Sequence, residues 1–271
     1  MPRLSPAPAL FIQPHYDDVP LSCGGTVALW AESGHEPHMI TVFASEIVDQ
    51  MVGTFAAWKH ERWKLTDPDQ VLTVRRAEDA DAAAALNCTV RWLGLPDAIY
   101  RGERYTSDPE LFGVLHPEEY YLAQHLAVES RNLPEWRDGN QVFVPLGIGS
   151  HVDHQLVFEA GRRLAAEGVE VYAYEDTPYA IHTPEGRAKR LAVLGDQVGE
   201  PLVVPIEDIL EQRLEYIACY RSQVPVIFRF TQDFRGSVTE FANAAGAGCG
   251  PAERFWPVMP CLQADAEQRA A

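Results

Sequence analysis

Six short runs rich in β-branched and aromatic residues, "ALFIQ" (9–13), "HMITVFA" (38–44), "TVRWLGL" (89–95), "QVFVPLG" (141–147), "VEVYAYE" (169–175) and "PLVVP" (201–205), alternate with stretches of helical character. That alternation constrains the fold more than any other feature of the chain. Strands that are almost continuously apolar have no polar side to offer water, so the sheet they build is covered on both faces, and strand–helix alternation makes it parallel. The clearest intervening helix is the alanine-rich "VRRAEDADAAAALN" (74–87); others read at 25–32, 118–131, 154–167 and 206–220. The expected fold is α/β, a Rossmann-like, doubly wound, mainly parallel sheet with helices on both faces. Ligands of such sheets bind outside the carboxyl ends of the strands, where chemistry is therefore expected to collect. With 271 residues, no internal repeat and no linker that divides it, the chain reads as one domain over 9–240 between tails at 1–8 and 241–271. Two irregular segments, 98–117 and 221–240, read as excursions at the rim.

The first strand runs straight into "PHYDDV", so His15, Asp17 and Asp18 stand at its carboxyl end. In a tight turn, residues three apart can face one spot while the residue between them points past it. His15 and Asp18 can then share a metal, with Asp17 beside the open position, and an imidazole–carboxylate set suits zinc. An acidic turn whose aspartates cap the next helix accounts for the same letters.

Two HxxH pairs follow. "HEPH" (35–38) precedes the second strand, which puts His35 and His38 at the amino end of the sheet, away from the crevice. "HVDH" (151–154) follows "QVFVPLG" through "IGS", at the carboxyl end, with Ser150 as a candidate cap for a helix beginning near His154. Neighbouring loops at that edge would unite His15, Asp18 and one histidine of the second pair.

Composition narrows the function classes. A net charge of −17 with scattered Lys and Arg repels phosphate backbones and anionic lipid, which argues against nucleic acid and membrane surfaces as partners. The five cysteines are dispersed, odd in number and lack a CxxC pair, so neither a disulfide framework nor a thiolate zinc site is expected. With no signal-like apolar segment and no apolar run near the roughly 20 residues of a membrane span, a cytoplasmic protein is expected. "CGGT" (23–26) is no dinucleotide fingerprint.

With these residues in view, the sequence resembles the PIG-L or LmbE-like family of zinc-dependent N-deacetylases, whose first motif reads (A/P)HPDDE and whose second carries HxDH or HxxH. "PHYDDV" and "HVDH" correspond to them. "RRAEDADAAAALN" followed by "LGLPD" is similar to the family's Arg-x-x-Glu helix, and "EYIACYRSQ" to its late tyrosine-bearing helix, so the likeness runs from about residue 9 to residue 223. It implies one Zn2+ per chain held by His15, Asp18 and His154, with Asp17 as the general base that takes a proton from water acidified by the metal. It further implies His151 as oxyanion stabiliser or acid to the leaving amine, Asp153 as the residue that orients or tunes His151, and Arg75 as a substrate contact. The implied activity is removal of an N-acetyl group from a small N-acetylglucosamine-like conjugate.

Two departures from the motif stand out: Tyr16 replaces its proline and Val19 its closing glutamate, for which Glu46, Glu175 and Asp176 are candidate substitutes. For Arg75 a helix ion pair with Glu78 or Asp79 is the competing reading. Arg75, Arg101 and Arg104 together would suit one anionic group, while Trp58, Trp63, Tyr100, Tyr105 and Tyr179 are candidates for stacking on a sugar, with local loop cores as the competing and commoner reading. His60, His116, His125 and His182 have no partner motif and read as surface or core residues. The competing functions are a metal-dependent phosphoesterase and a non-catalytic sugar-binding relative.

Overall fold

The computed structural model describes residues 3–260. Its strands are β1 (Ala9–Gln13), β2 (His38–Thr41), β3 (Thr89–Trp92), β4 (Gln141–Pro145), β5 (Glu170–Tyr174), β6 (Leu202–Pro205) and β7 (Ala252–Pro257). They form one sheet in the order β3-β2-β1-β4-β5-β7-β6. β1 pairs in parallel with β2 on one side and β4 on the other; the chain leaves β1 toward β3, then restarts at β4 and moves the opposite way. The strand order therefore reverses between β1 and β4, the place where a doubly wound sheet opens its crevice.

The helices are α1 (Asp18–Glu32), α2 (Thr54–Trp63), α3 (Pro68–Ala85), α4 (Asp108–Leu111), α5 (Tyr120–Asn132), α6 (Val152–Ala166), α7 (Tyr179–His182), α8 (Gly186–Leu194), α9 (Leu210–Ala218), α10 (Val224–Ile227) and α11 (Phe234–Ala245). Every side chain of β1 and β4 is buried, as their apolar runs require. Alternation along β1 splits the core: Leu10 and Ile12 face a layer with Leu126 of α5 and Leu156 of α6, whereas Ala9 and Phe11 face Val27 and Trp30 of α1. Phe11 stacks on Phe143 of β4 at 4.3 Å between centroids, which locks the two central strands together on the α1 side. No helix among the described residues is long and apolar enough to cross a membrane.

All six expected strands are present, and α1 and α3 start earlier than their apolar patterns suggest. Asp17 takes the N-cap position of α1, yet its side chain makes no capping bond, so helix capping does not explain the first aspartate of the pair. At α6 the cap is His151 rather than Ser150, because His151 Nδ1 accepts the Asp153 N–H at 3.2 Å.

The segment 241–271, read as a tail, instead carries the end of α11 and β7, which pairs antiparallel with both β5 and β6. Its alternation is masked by two charges that find buried partners. Glu253 meets Arg213 at 2.9 Å and accepts the Gly25 and Thr26 N–H groups at 2.9 and 2.7 Å, and Arg254 meets Glu175 at 3.2 Å. Residues 261–271, including Cys261, lie outside the described residues; the other four cysteines are free thiols. The excursions 98–117 and 221–240 contain α4, α10 and the start of α11, and both border the crevice.

Candidate active site

The loop after β1 bends back on itself because Asp18 Oδ2 accepts the His15 N–H at 2.8 Å, which brings the two side chains to one side: His15 Nδ1 is 3.4 Å from Asp18 Oδ2. The loop after β4 reaches the same spot through two glycines in the left-handed region, Gly147 (φ 84°) and Gly149 (φ 87°). At Gly149 a Cβ would also lie 2.8 Å from the Tyr179 ring, so only glycine fits there. This loop delivers His151 and, in the first turn of α6, His154, whose Nε2 lies 3.4 Å from Asp18 Oδ1. His15, Asp18 and His154 thus converge, each offering a ligand atom within 4.8 Å of the others.

Carboxylates behind the rings decide which nitrogens face inward. His154 Nδ1 is 2.6 Å from Asp176 Oδ1, and Asp176 is itself fixed by the Gly147 and Ile148 N–H groups at 2.8 and 2.9 Å. His15 Nε2 is 3.1 Å from Asp153 Oδ2 and 3.6 Å from Asp97 Oδ2. With Nδ1 of His154 and Nε2 of His15 bound to carboxylates, the free lone pairs of the neutral rings, the form that binds a metal, are at His154 Nε2 and His15 Nδ1, the two atoms beside Asp18. His154 Nε2 is buried and has no hydrogen-bond partner. A buried, unpartnered imidazole nitrogen beside a carboxylate and a second imidazole fits a divalent cation with nitrogen and oxygen ligands.

A second set, His15, His151 and Asp153, also lies within reach of one ion. There the carboxylate is already saturated, because Asp153 binds Arg101 Nη1 at 2.6 Å, the Ala98 N–H at 3.0 Å and His15. Asp153 therefore braces His15; its carboxylate makes no hydrogen bond that orients His151, whose ring it touches through the backbone N–H, but its charge tunes that ring by opposing the fall of the His151 pKa.

The electrostatics separate the two adjacent aspartates. Burial pushes the Asp17 carboxyl up to about 6 although Arg75 pulls it down, while Asp18, buried equally, is held at about 2 by His154 and His15. Burial opposes charge on His15, yet Asp97, Asp153 and Asp18 outweigh it and raise its pKa well above the usual value. His151 goes the other way, far below the usual value, through burial and then His15. With Nδ1 accepting a backbone N–H, neutral His151 carries its proton on Nε2.

Arg75 lies on the wall of the cavity, 4.0 Å from Asp17 Oδ2, its guanidinium over the rings of Tyr16 at 5.0 Å and Trp63 at 5.1 Å. It pairs with neither Glu78, which binds Ser222, nor Asp79, which binds Gln13, Thr41, Trp92 and Tyr220. Tyr16 thus supplies the face on which Arg75 rests, and Val19 is buried in the apolar layer under α1. Of the proposed substitutes for the motif glutamate only Asp176 touches the cluster; Glu46 is exposed, and Glu175 binds Arg187 and Arg254. Arg101 and Arg104 form no free positive spot, being paired with Glu119 and Asp153, and with Glu118.

Above this floor opens a cavity of about 410 Å³, lined among others by Lys59, Arg62, Trp63, Phe112, Tyr179, His182 and Phe230. That volume is in the ordinary range for small-molecule sites, roughly 300–1,000 Å³. Trp63 and Tyr179 are on its wall, where they can stack on a ligand, whereas Tyr100 and Tyr105 are buried loop anchors bonded to His60 and Glu119, as the loop-core reading has it. Sequence reasoning missed Asp97, Phe112 and the cations of α2 and 229, and left His182 outside the site; for Asp97 its place just after β3 in "LGLPD" was the available signal. His35 and His38 lie at the opposite end of β2, and His38 Nδ1 is 2.6 Å from Thr89 Oγ1.

A buried imidazole–carboxylate–imidazole set at the switch point of a doubly wound sheet, with a second carboxylate of raised pKa beside it, defines a metal-dependent hydrolase. Residues 10–165 match the model of the family described as PIG-L, GlcNAc-PI de-N-acetylase, and the chain belongs to that family. It is a hydrolase of the deacetylase type, acting on amide bonds. It is 31% identical over 188 residues to a 2'-N-acetylparomamine deacetylase of Niallia circulans, which takes in 63% of this chain and 66% of that relative's length. To the 2'-N-acetylparomamine deacetylase of Streptomyces fradiae it is 29% identical over 274 residues, 95% of this chain and 92% of the relative. Among solved structures, a deacetylase–teicoplanin complex from the biosynthesis pathway of teicoplanin superposes with a TM-score of 0.79 at 26% identity, covering 94% of this chain and 99% of that one.

Proposed function

We propose that the protein is a zinc-dependent amidohydrolase that removes the N-acetyl group from a small N-acetylglucosamine-like conjugate, with one zinc per chain. The observation that carries this reading is the unpartnered His154 Nε2 facing Asp18 and His15, with the Asp17 carboxyl next to them. The names of the relatives above support the acetylated-sugar substrate, and the aromatic lining of the cavity suits a pyranose face. His15 Nδ1, Asp18 and His154 Nε2 would hold the metal, which when bound polarises the acetamide carbonyl and acidifies water.

The other groups divide the remaining work. Asp17 takes the proton of the attacking water and, as an acid of raised pKa, returns it to the departing nitrogen when the C–N bond breaks, so that acetate and a free amine leave. His151 donates from Nε2 to the carbonyl oxygen as negative charge gathers there. Arg75 keeps Asp17 oriented and offers its buried, unpartnered Nε side to substrate. Asp153 and Asp176 hold the two imidazoles in the tautomers the site needs. The four free thiols among the described residues support a reducing, cytoplasmic setting.

The test is zinc content per chain, measured together with acetate and phosphate release from a panel of N-acetylglucosaminides and phosphate esters. One zinc and acetate release are expected. Zinc-loaded protein that liberates phosphate and no acetate would transfer the assignment to the phosphoesterase reading, and zinc-loaded protein inert on the whole panel to the binding relative.

A further inference from the structure

The mouth of the cavity carries two cations that the proposed chemistry does not use. Arg62, at the end of α2, places its guanidinium over the Trp58 ring at 4.7 Å, and Arg229, just after α10, lies over Phe230 at 4.2 Å. Both line the cavity, and among the described residues neither has a carboxylate within ion-pair distance; the one hydrogen bond made by Arg229 goes to the Val226 carbonyl at 3.0 Å. Their neighbours on the same lining are satisfied: Lys59 meets Asp108 at 2.6 Å, and Arg75 faces Asp17. With Lys59 and Asp108 cancelling, the mouth is left with two net positive charges on a chain whose total is −17.

Two like charges at one opening repel each other, and burial and then Arg62 lower the Arg229 pKa, with Asp108 only partly offsetting them. Stacking on an aromatic face desolvates one side of each guanidinium and leaves the N–H edges pointing outward in a plane, the geometry that binds the two oxygens of a carboxylate or phosphate. In the deacetylase reading the floor, with Asp17, Asp18 and Asp97 around it, is taken by the reacting acetamide. An anionic group on the appendage is therefore met at the mouth.

We infer that Arg62 and Arg229 form a subsite for an oxyanion, a carboxylate or a phosphate, on the part of the substrate that projects from the sugar out of the cavity. The inference rests on the deacetylase reading for the orientation of the substrate, with its acetamide at the floor and its appendage at the mouth. It also separates substrates that the floor cannot distinguish: an acidic appendage is favoured over a neutral one, and a neutral one over a cationic one.

The experiment uses the metal-loaded full chain and N-acetylglucosaminides matched in size, with neutral, carboxylate, phosphate and cationic aglycones. Wild-type kcat/KM is expected to be about tenfold higher for an anionic than for the neutral conjugate, mainly through KM, and to lose that margin in high salt. The double variant Arg62→Gln, Arg229→Gln should bring the ratio of anionic to neutral close to one, while Arg104→Gln, outside the cavity, leaves the ratio at its wild-type value. The carboxylate and phosphate conjugates show which oxyanion the subsite prefers. Equal wild-type rates on anionic and neutral conjugates, or a ratio the double variant does not change, would overturn the subsite. Direct binding of the anionic conjugates, followed by calorimetry, reads the subsite without turnover. If no conjugate yields acetate but binding still depends on Arg62 and Arg229, the deacetylase reading fails and the subsite stands.

Discussion

At the floor of the cavity each imidazole proposed to hold the metal has a carboxylate behind it, Asp153 and Asp97 for His15 and Asp176 for His154, and those carboxylates are in turn held by backbone N–H groups or Arg101. At the mouth, guanidinium groups lie on aromatic rings without ion partners among the described residues, and Phe230 is 70% exposed. The floor comes from short loops that follow the two central strands, β1 and β4, which pair with each other. The mouth comes from α2, α4 and the residues after α10, and these helices bury few of their own side chains. Preorganised chemistry needs the first construction and selectivity among appendages is compatible with the second. Variants at the floor should then change metal content and kcat, and variants at the mouth should change KM alone.

The largest effect belongs to the metal ligands. His154→Ala removes a nitrogen that has no other partner, so zinc per chain, measured after dialysis, should fall by at least about tenfold and acetate release should disappear with it. Full zinc occupancy at unchanged affinity would mean that the third ligand is another group, His151 being the nearest imidazole. His38→Ala, at the other end of the sheet, should leave zinc content as it is.

Asp17→Asn comes next. The amide is close to isosteric and cannot take a proton, so zinc content should persist while kcat falls by about 10²-fold or more. A variant with wild-type kcat would remove Asp17 from the chemistry and leave it as an N-cap position only.

One layer below the floor, Asp79 offers a contrast in pH dependence. Four donors reach its carboxylate, Gln13, Thr41, Trp92 and Tyr220, but burial pushes its pKa up to about 6. From about pH 4 to about pH 6 the folded state then binds more protons at this group than the unfolded chain, so its contribution to stability is present at the acid end and is lost as pH rises through about 6. The size is at most about 3 kcal/mol. Urea unfolding of wild type and Asp79→Asn over this range checks it: whatever constant cost the substitution brings, wild-type stability relative to the variant should decline with rising pH. A difference that stays level would show that the four donors outweigh burial.

Smaller again is the effect of a residue that acts through a ligand. Asp176→Asn keeps the shape but weakens the hold on His154 Nδ1, so zinc affinity should drop about 10- to 100-fold, with kcat at saturating zinc far less affected. A loss of kcat at full occupancy would place Asp176 in the reaction itself.

The contrast between floor and mouth is also a contrast in what the amino-acid sequence discloses. "PHYDDV" and "HVDH" could be set side by side because apolar strands announce themselves and the carboxyl ends of neighbouring strands share an edge. The same rule put Asp176, after β5, among the candidate carboxylates; Asp97, after β3, went unnoticed because a lone aspartate after a strand has no spacing that distinguishes it from a turn residue. α2 was not legible because only Ala56 and His60 of its ten residues are buried, so it has no apolar stripe; much of its remaining surface lines the cavity or meets solvent. β7 was hidden by Glu253 and Arg254, whose partners Arg213 and Glu175 are distant in sequence. The ion pairs of Arg101 depend on the same kind of distant closure, which is why it read as a free cation.

The smallest expected effect lies at the outer edge of the mouth. Phe230 is mostly exposed, touches His182 edge-to-face at 5.5 Å between centroids and backs Arg229. Nothing connects it to the floor except the cavity between them, so it can act on a substrate only by covering the portion that projects from the sugar. One aromatic contact of this kind is worth about 0.5–1 kcal/mol, a two- to fivefold change in binding. Phe230→Ala should accordingly raise KM for a neutral aryl N-acetylglucosaminide about two- to fivefold, with kcat and zinc content as in wild type. KM for the same sugar with a methyl aglycone, too short to reach residue 230, should not change. If kcat falls for both sugars, closure of the mouth contributes to the chemical step, and floor and mouth are one catalytic unit rather than two parts with separate tasks.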